Sequence, residues 1–241
     1  MSAVLQLFPE VLDVNGDAQN ALVLAQRAAW AGLDATLTPV ALEGKPPTAK
    51  PAAVVIGSGV DSALDPVRAA LGRWERPLRD WAEAGIPILA VGTGLELLSE
   101  GVQLAEGAAL IDGLHLLPGR AVPRSERAVD DVLVDAAEGL LIGFENHARG
   151  YLLPADARAL GTVRHGTGND GRSEGARSGS VIGTHLHGPV LAKNPALADA
   201  ILTAAFGDAY RPDDPRIRFV DETARAARDQ IAARLGVKLG E

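Results

Sequence analysis

Apolar residues fall in short, bounded blocks along the first hundred positions. Val4 to Leu7 has the length of a strand. Ala21, Leu22, Leu24, Ala25 and Ala28 recur with helical spacing, with Asp17 where a cap is expected and Gly32 where the helix would stop. Residues 35–40 read as a second strand and GKPPTAKP (44–51) as a loop. The blocks AAVVI (52–56) and IPILAV (86–91) are apolar throughout, as parallel strands buried on both faces must be. Pro66 suits the first turn of a helix running to about residue 84 and ending at Gly85, and residues 93–99 read as another helix. This order predicts a parallel sheet with helical crossovers.

The pattern changes in the second half. Over residues 110–165, LLPG, DVLV, LLIGFENH, GYLL and LGTVRHG predict short strands separated by turns, a mostly antiparallel patch. GTGNDGRSEGARSG (166–179) predicts a loop and residues 181–186 a strand. Asn194 is placed to cap a helix through Phe206, and residues 221–235 form an amphipathic helix. With no internal repeat and no clear linker, residues 1–241 are expected to form one α/β domain. It would have three layers, a mainly parallel central sheet and the antiparallel patch.

Composition narrows the chemistry. The chain has 241 residues and a formal net charge of -8, a balance that disfavours a nucleic-acid partner. No apolar run is long enough for a membrane span, and the opening residues lack a leader pattern, so a cytoplasmic protein is expected. The cysteine count is zero, which excludes thiolate metal sites and any thiol nucleophile. The five histidines show no zinc spacing, and the sequence calls for neither a metal nor another cofactor.

Three short motifs stand at strand ends, where α/β sheets place ligands: Gly57-Ser58-Gly59, Gly92-Thr93-Gly94 and Gly183-Thr184-His185-Leu186-His187-Gly188-Pro189. A strand, a sharp turn at Gly92 and a helix make the arrangement of a nucleophile elbow. The Gly57–Gly59 loop and Thr93 are the candidate backbone donors to an oxyanion. His185 and His187 are expected to point to opposite faces, so that one serves as base and the other is satisfied elsewhere or exposed. Asp17 reads as a helix cap and Arg149 as a solvated arginine.

Longer strings carry a resemblance over nearly the whole chain. LFPEVLDVNGDAQNALVLAQRAAWAGL (7–33), VIGSGVD (55–61), IPILAVGTGLELLSEG (86–101), IGFENHARGYL (142–152), GTGNDGRSEG (166–175) and IGTHLHGPVLAKNP (182–195) resemble the class I glutamine amidotransferases of the cobyric-acid-synthase-like branch. The nearest likeness is to the amidotransferase subunits of lipid II isoglutaminyl synthase. The resemblance implies hydrolysis of glutamine and transfer of ammonia to a Mur-ligase-like, ATP-dependent partner that amidates a peptidoglycan precursor. It also implies that His187 is the base.

The departures from the family pattern sit at the site. The family's nucleophilic Cys aligns with Gly92, its pocket Gln with Glu96, the preceding aromatic with Leu95, a loop Gln with Val60 and a Tyr with His185. Val60, Leu95, Glu96 and His185 are therefore the expected substrate-pocket positions. A glycine cannot form a thioester, so a catalytically degenerate subunit that keeps its partner surface is expected. An active subunit is the first alternative. The other is a protein using the old pocket for a small glutamine-like ligand, or one whose amine faces Glu96.

Overall fold

The computed structural model describes residues 2–237. The elements of the first half are β1 (Ser2–Leu7), α1 (Gln19–Trp30), β2 (Ala35–Val40), β3 (Ala53–Ile56), α2 (Leu64–Leu71), α3 (Glu75–Glu83), β4 (Ile88–Val91) and α4 (Thr93–Leu98). The single helix expected from Pro66 to residue 84 is two. Pro77 has no N–H to bond the carbonyl of residue 73, so the helix ends at Gly72 and restarts with the proline in a first turn. Trp74 fills the break, fully buried and edge-on to Trp81.

The second half contains β5 (Gly101–Gln103), β6 (Leu110–Asp112), β7 (Arg120–Ala136), β8 (Gly139–Leu152), β9 (Gly161–His165), β10 (Ser173–Glu174), β11 (Ala176–Ser178), β12 (Val181–Thr184), α5 (Val190–Lys193), α6 (Pro195–Phe206) and α7 (Pro215–Arg234). Three expectations are corrected here. The short strands expected between 116 and 153 are largely two long antiparallel ones, β7 and β8, and LLPG is a turn. The 166–179 loop contains β10 and β11. Helix α7 begins earlier than residue 221, because Asp214 caps it by accepting the Arg216 N–H at 2.8 Å, with Pro215 next.

The first sheet has the order β11-β12-β4-β3-β1-β2, parallel except for β11. Successive residues of β3 enter different cores. Val54 and Ile56 pack with Leu64, Val67, Leu71 and Leu78 of α2 and α3, whereas Ala53 and Val55 pack with Ala21, Leu24, Leu197 and Ile201 of α1 and α6. Helices thus cover both faces, giving three layers. A second, mostly antiparallel sheet runs β10-β9-β7-β5-β6, with β8 paired to β7. A bridge between Phe144 of β8 and His187 helps tie it to the first: the His187 N–H donates to the Phe144 carbonyl at 2.8 Å.

Candidate active site

The carboxyl ends of β3, β4 and β12 lie side by side, because β4 pairs with both of the others in parallel register. Each releases one of the three motifs at the same edge. After β4 the chain turns at Gly92, with φ 54° and ψ -111°, and enters α4. Side chains resist this left-handed conformation. The turn is held by the Gly92 N–H on the Thr184 carbonyl (2.9 Å) and by the Gly94 N–H on the Gly57 carbonyl (3.1 Å). Gly57 allows a close approach, since a Cβ there would stand 2.1 Å from the Leu12 carbonyl oxygen.

His187 faces Gly92. A Cβ built on Gly92 would lie 3.1 Å from His187 Cε1, and 2.7 Å from the Cβ of Ser58. The ring's Nδ1 donates to Asp17 Oδ2 at 2.7 Å, and both residues are buried. Asp17 is therefore not the helix cap expected from its position: Ala18 holds the N-cap place without a side-chain cap bond. Its carboxylate turns inward instead, where Oδ2 also accepts from the Ser58 hydroxyl. A carboxylate on Nδ1 fixes the tautomer that leaves Nε2 basic, the orientation a general base requires.

On the opposite side, the Thr93 hydroxyl accepts from the Gly59 N–H (2.9 Å) and lies 3.1 Å from the Gly59 carbonyl. One candidate oxyanion donor is thereby already satisfied.

A cavity of about 240 Å³ opens above these groups, lined among others by Ser58, Gly59, Val60, Thr93, Glu96, Asn146, His147, Arg149, His185 and His187. Val60 is exposed at its rim. Leu95 does not line it, contrary to expectation. It is fully buried in the core, and its Cδ1 would lie 2.4 Å from a Cβ at Gly183, so Gly183 makes the room for it.

Glu96 is buried and does not await an amine, because both carboxylate oxygens accept from Arg149: Nε at 2.7 Å and a terminal nitrogen at 3.0 Å. Arg149 also pairs with Asp61 at 2.8 Å. Far from being solvated, it is buried as the clamp between the two acids. Burial pushes the Glu96 carboxyl up and Arg149 opposes this, while burial lowers the Arg149 guanidinium but its two acids raise it further.

The expectation that the two histidines point to opposite faces is corrected: both border the cavity, since residues two apart in extended chain share a face. His185 stacks on His147, with ring centroids 4.3 Å apart. Its ring nitrogens find no protein partner among the described residues. Burial, followed by the charges of His147, His187 and Arg149, pushes its pKa well below the usual histidine range. Behind it, buried Glu174 accepts from the His185 N–H (2.6 Å) and from the Thr184 hydroxyl. Burial pushes its carboxyl up to about 7. Glu145 goes the other way: burial raises it, but donation from His147, Gly168 and Thr167 outweighs that and holds it low. Asn194 heads α6 without a side-chain cap bond and instead ties the Ile142 N–H and C=O (2.8 Å each).

Sequence reading missed Asp17, Arg149 and Asp61 as members of this constellation. The Asp before a helix gave a stronger local signal for capping, and no spacing rule links Arg149 to partners 53 and 88 positions away.

The family model for the CobB/CobQ-like glutamine amidotransferase domain matches residues 10–195. The chain is 31% identical over 165 residues to the GatD subunit of the glutamine-hydrolysing lipid II isoglutaminyl synthase of Staphylococcus aureus. That match covers 67% of this chain and 66% of the relative, just under two thirds of its length. The corresponding Streptococcus pneumoniae subunit is 26% identical over 87% of this chain and 82% of its own. Among solved structures, a glutamine amidotransferase superposes with a TM-score of 0.57 at 16% identity, covering 84% of this chain and 98% of its own. Another, from Thermotoga maritima, gives 0.52 at 15% identity, covering 97% and 94%. These two show the fold. The chain belongs to the CobB/CobQ-like glutamine amidotransferase family.

Proposed function

We propose that this chain is a glutamine amidotransferase-like subunit that has lost covalent glutamine hydrolysis. It serves as partner or scaffold of a Mur-ligase-like, ATP-dependent subunit in amidation of a peptidoglycan precursor, in the cytoplasm. The observation that carries this reading is Gly92: the elbow faces an oriented His187 yet presents no nucleophilic atom. Thioester chemistry needs a thiol, and the whole chain has none. The neighbouring hydroxyls do not substitute. Ser58 directs its proton to Asp17 or to the Val14 carbonyl (2.7 Å), not to His187, and Thr93 is bonded to Gly59. The likeness to two GatD subunits supports the pathway and a role as one subunit of a larger enzyme.

The test is reconstitution with a Mur-ligase-like, ATP-dependent protein from the same source. The pair should co-elute, the ligase should amidate lipid II with free ammonium, and glutamine should not replace ammonium. Glutamine-driven amidation would establish an active subunit instead, and failure to co-elute would remove the partner role.

A further inference from the structure

We infer that Ser58 is the residue that closes this site, so that the loss at Gly92 is one half of a coupled remodelling. The inference rests on the degenerate reading above and gives it a mechanism. A Cβ at position 92 would stand 2.7 Å from Ser58 Cβ and 3.1 Å from His187 Cε1. Real Cβ atoms essentially never approach another atom within 3.0 Å, so one of the neighbours would have to move.

Neither neighbour is free to do so. The atom in the way is a Cβ bonded directly to backbone, not the tip of a flexible chain. The backbone behind it is wedged: Cβ atoms at the flanking Gly57 and Gly59 would fall 2.1 Å from the Leu12 carbonyl oxygen and 2.7 Å from that of Val11. The Ser58 carbonyl accepts the Val14 N–H at 3.0 Å, and its hydroxyl is tied to Asp17. On the other flank, His187 is fixed through its ring by Asp17 and through its backbone by Phe144. The space a nucleophile would need is therefore occupied by Ser58. Through Asp17, the same hydroxyl joins the bond that holds His187. Ser58 is a positioning residue in a site whose floor is closed while its cavity stays open.

The test exploits the absence of cysteine: in G92C the introduced thiol is the only one, so alkylation by iodoacetamide, followed by intact mass, reads position 92 alone. We expect G92C to melt lower than the parent by about 5 °C, as overpacking in a chain of this size implies. Its alkylation at pH 6.5 should be at least tenfold slower than that of S58G/G92C. The double variant should recover stability, and its alkylation profile should lie below the ordinary thiol range because His187 adjoins the sulfur. Adding His187→Gln should return that profile to the ordinary range.

S58A/G92C keeps the Cβ and loses the hydroxyl, so it should stay slow. If it reacts as fast as S58G/G92C, the barrier is not the Ser58 Cβ and the inference fails. It fails equally if G92C alone matches the double variant in rate and stability, or if S58G/G92C does not fold. Should G92C be insoluble and S58G/G92C fold, the coupling is supported. Glutamine turnover by the unsubstituted chain would overturn the degenerate reading and leave these alkylation results to decide the role of Ser58.

Discussion

On one wall of the cavity, His187 is held as a general base would be, with Nδ1 on buried Asp17 and its backbone paired with Phe144. On the opposite wall, Gly92 offers nothing, Ser58 fills the space beside it and Thr93 occupies the Gly59 amide. The walls differ in what else their residues do. His187 bridges the two sheets through Phe144 and donates to buried Asp17, so it has structural work independent of catalysis. A nucleophile at 92 would have no such second role: the turn is made by backbone bonds alone, and glycine is the residue its φ favours. Retention of the base is thus poor evidence for retention of the reaction.

If the base wall is kept for structure, breaking it should cost stability. The largest effect is expected beside it, at the clamp between Glu96 and Asp61. Arg149→Ala leaves the buried Glu96 carboxylate unpaired, at a cost of about 3–5 kcal/mol in urea unfolding, whereas Arg149→Met with Glu96→Leu should recover most of it. A loss below about 1 kcal/mol for Arg149→Ala would mean that the pair is not buried as described. Asp17→Ala strands the buried His187 Nδ1 donor, while Ser58 keeps the Val14 carbonyl, and should cost about 2–3 kcal/mol. If Asp17 were only a cap, the cost would be nearer 1 kcal/mol.

A pH dependence sharpens the contrast further. Glu174 has a folded pKa near 7 against an ordinary value of 4.5. Between these, the unfolded chain binds fewer protons than the folded one, so this group makes stability fall as pH rises from about 4.5 to 7, by a few kcal/mol at most. Below both values its contribution is complete and flat. Unfolding of Glu174→Gln across this window should lack that decline, and an unchanged slope would remove Glu174 as its source. The smallest effect is expected at Gly183→Ala, whose methyl would meet Leu95 and Leu117: about 1–3 kcal/mol, with no change at the cavity.

Much of the fold was legible because apolar blocks bounded by glycine leave few alternatives: β1, β2, β3, β4 and the elbow stand within two residues of their expected places. The long β7–β8 pair was not. Its polar stretch around Pro123 to Arg127 sits at a register irregularity and is largely solvent-facing, so it carries no alternation to read. At the site, the glycines at strand ends and the histidine pair were visible locally, and the family resemblance singled out His187. Asp17 and Arg149 were not, because their roles come from partners 170 and 53 positions away. Leu95 was misread because alignment with a pocket position does not say which side of a short helix meets the sheet.

The central claim, that no residue here attacks glutamine, is tested most directly by incubating the chain with 6-diazo-5-oxo-norleucine, a glutamine-like electrophile, with and without the proposed Mur-ligase-like partner. Intact mass should be unchanged in both, and glutamate release should stay at the level of buffer. A single adduct, mapped to Ser58, Thr93 or any other side chain, would contradict the account.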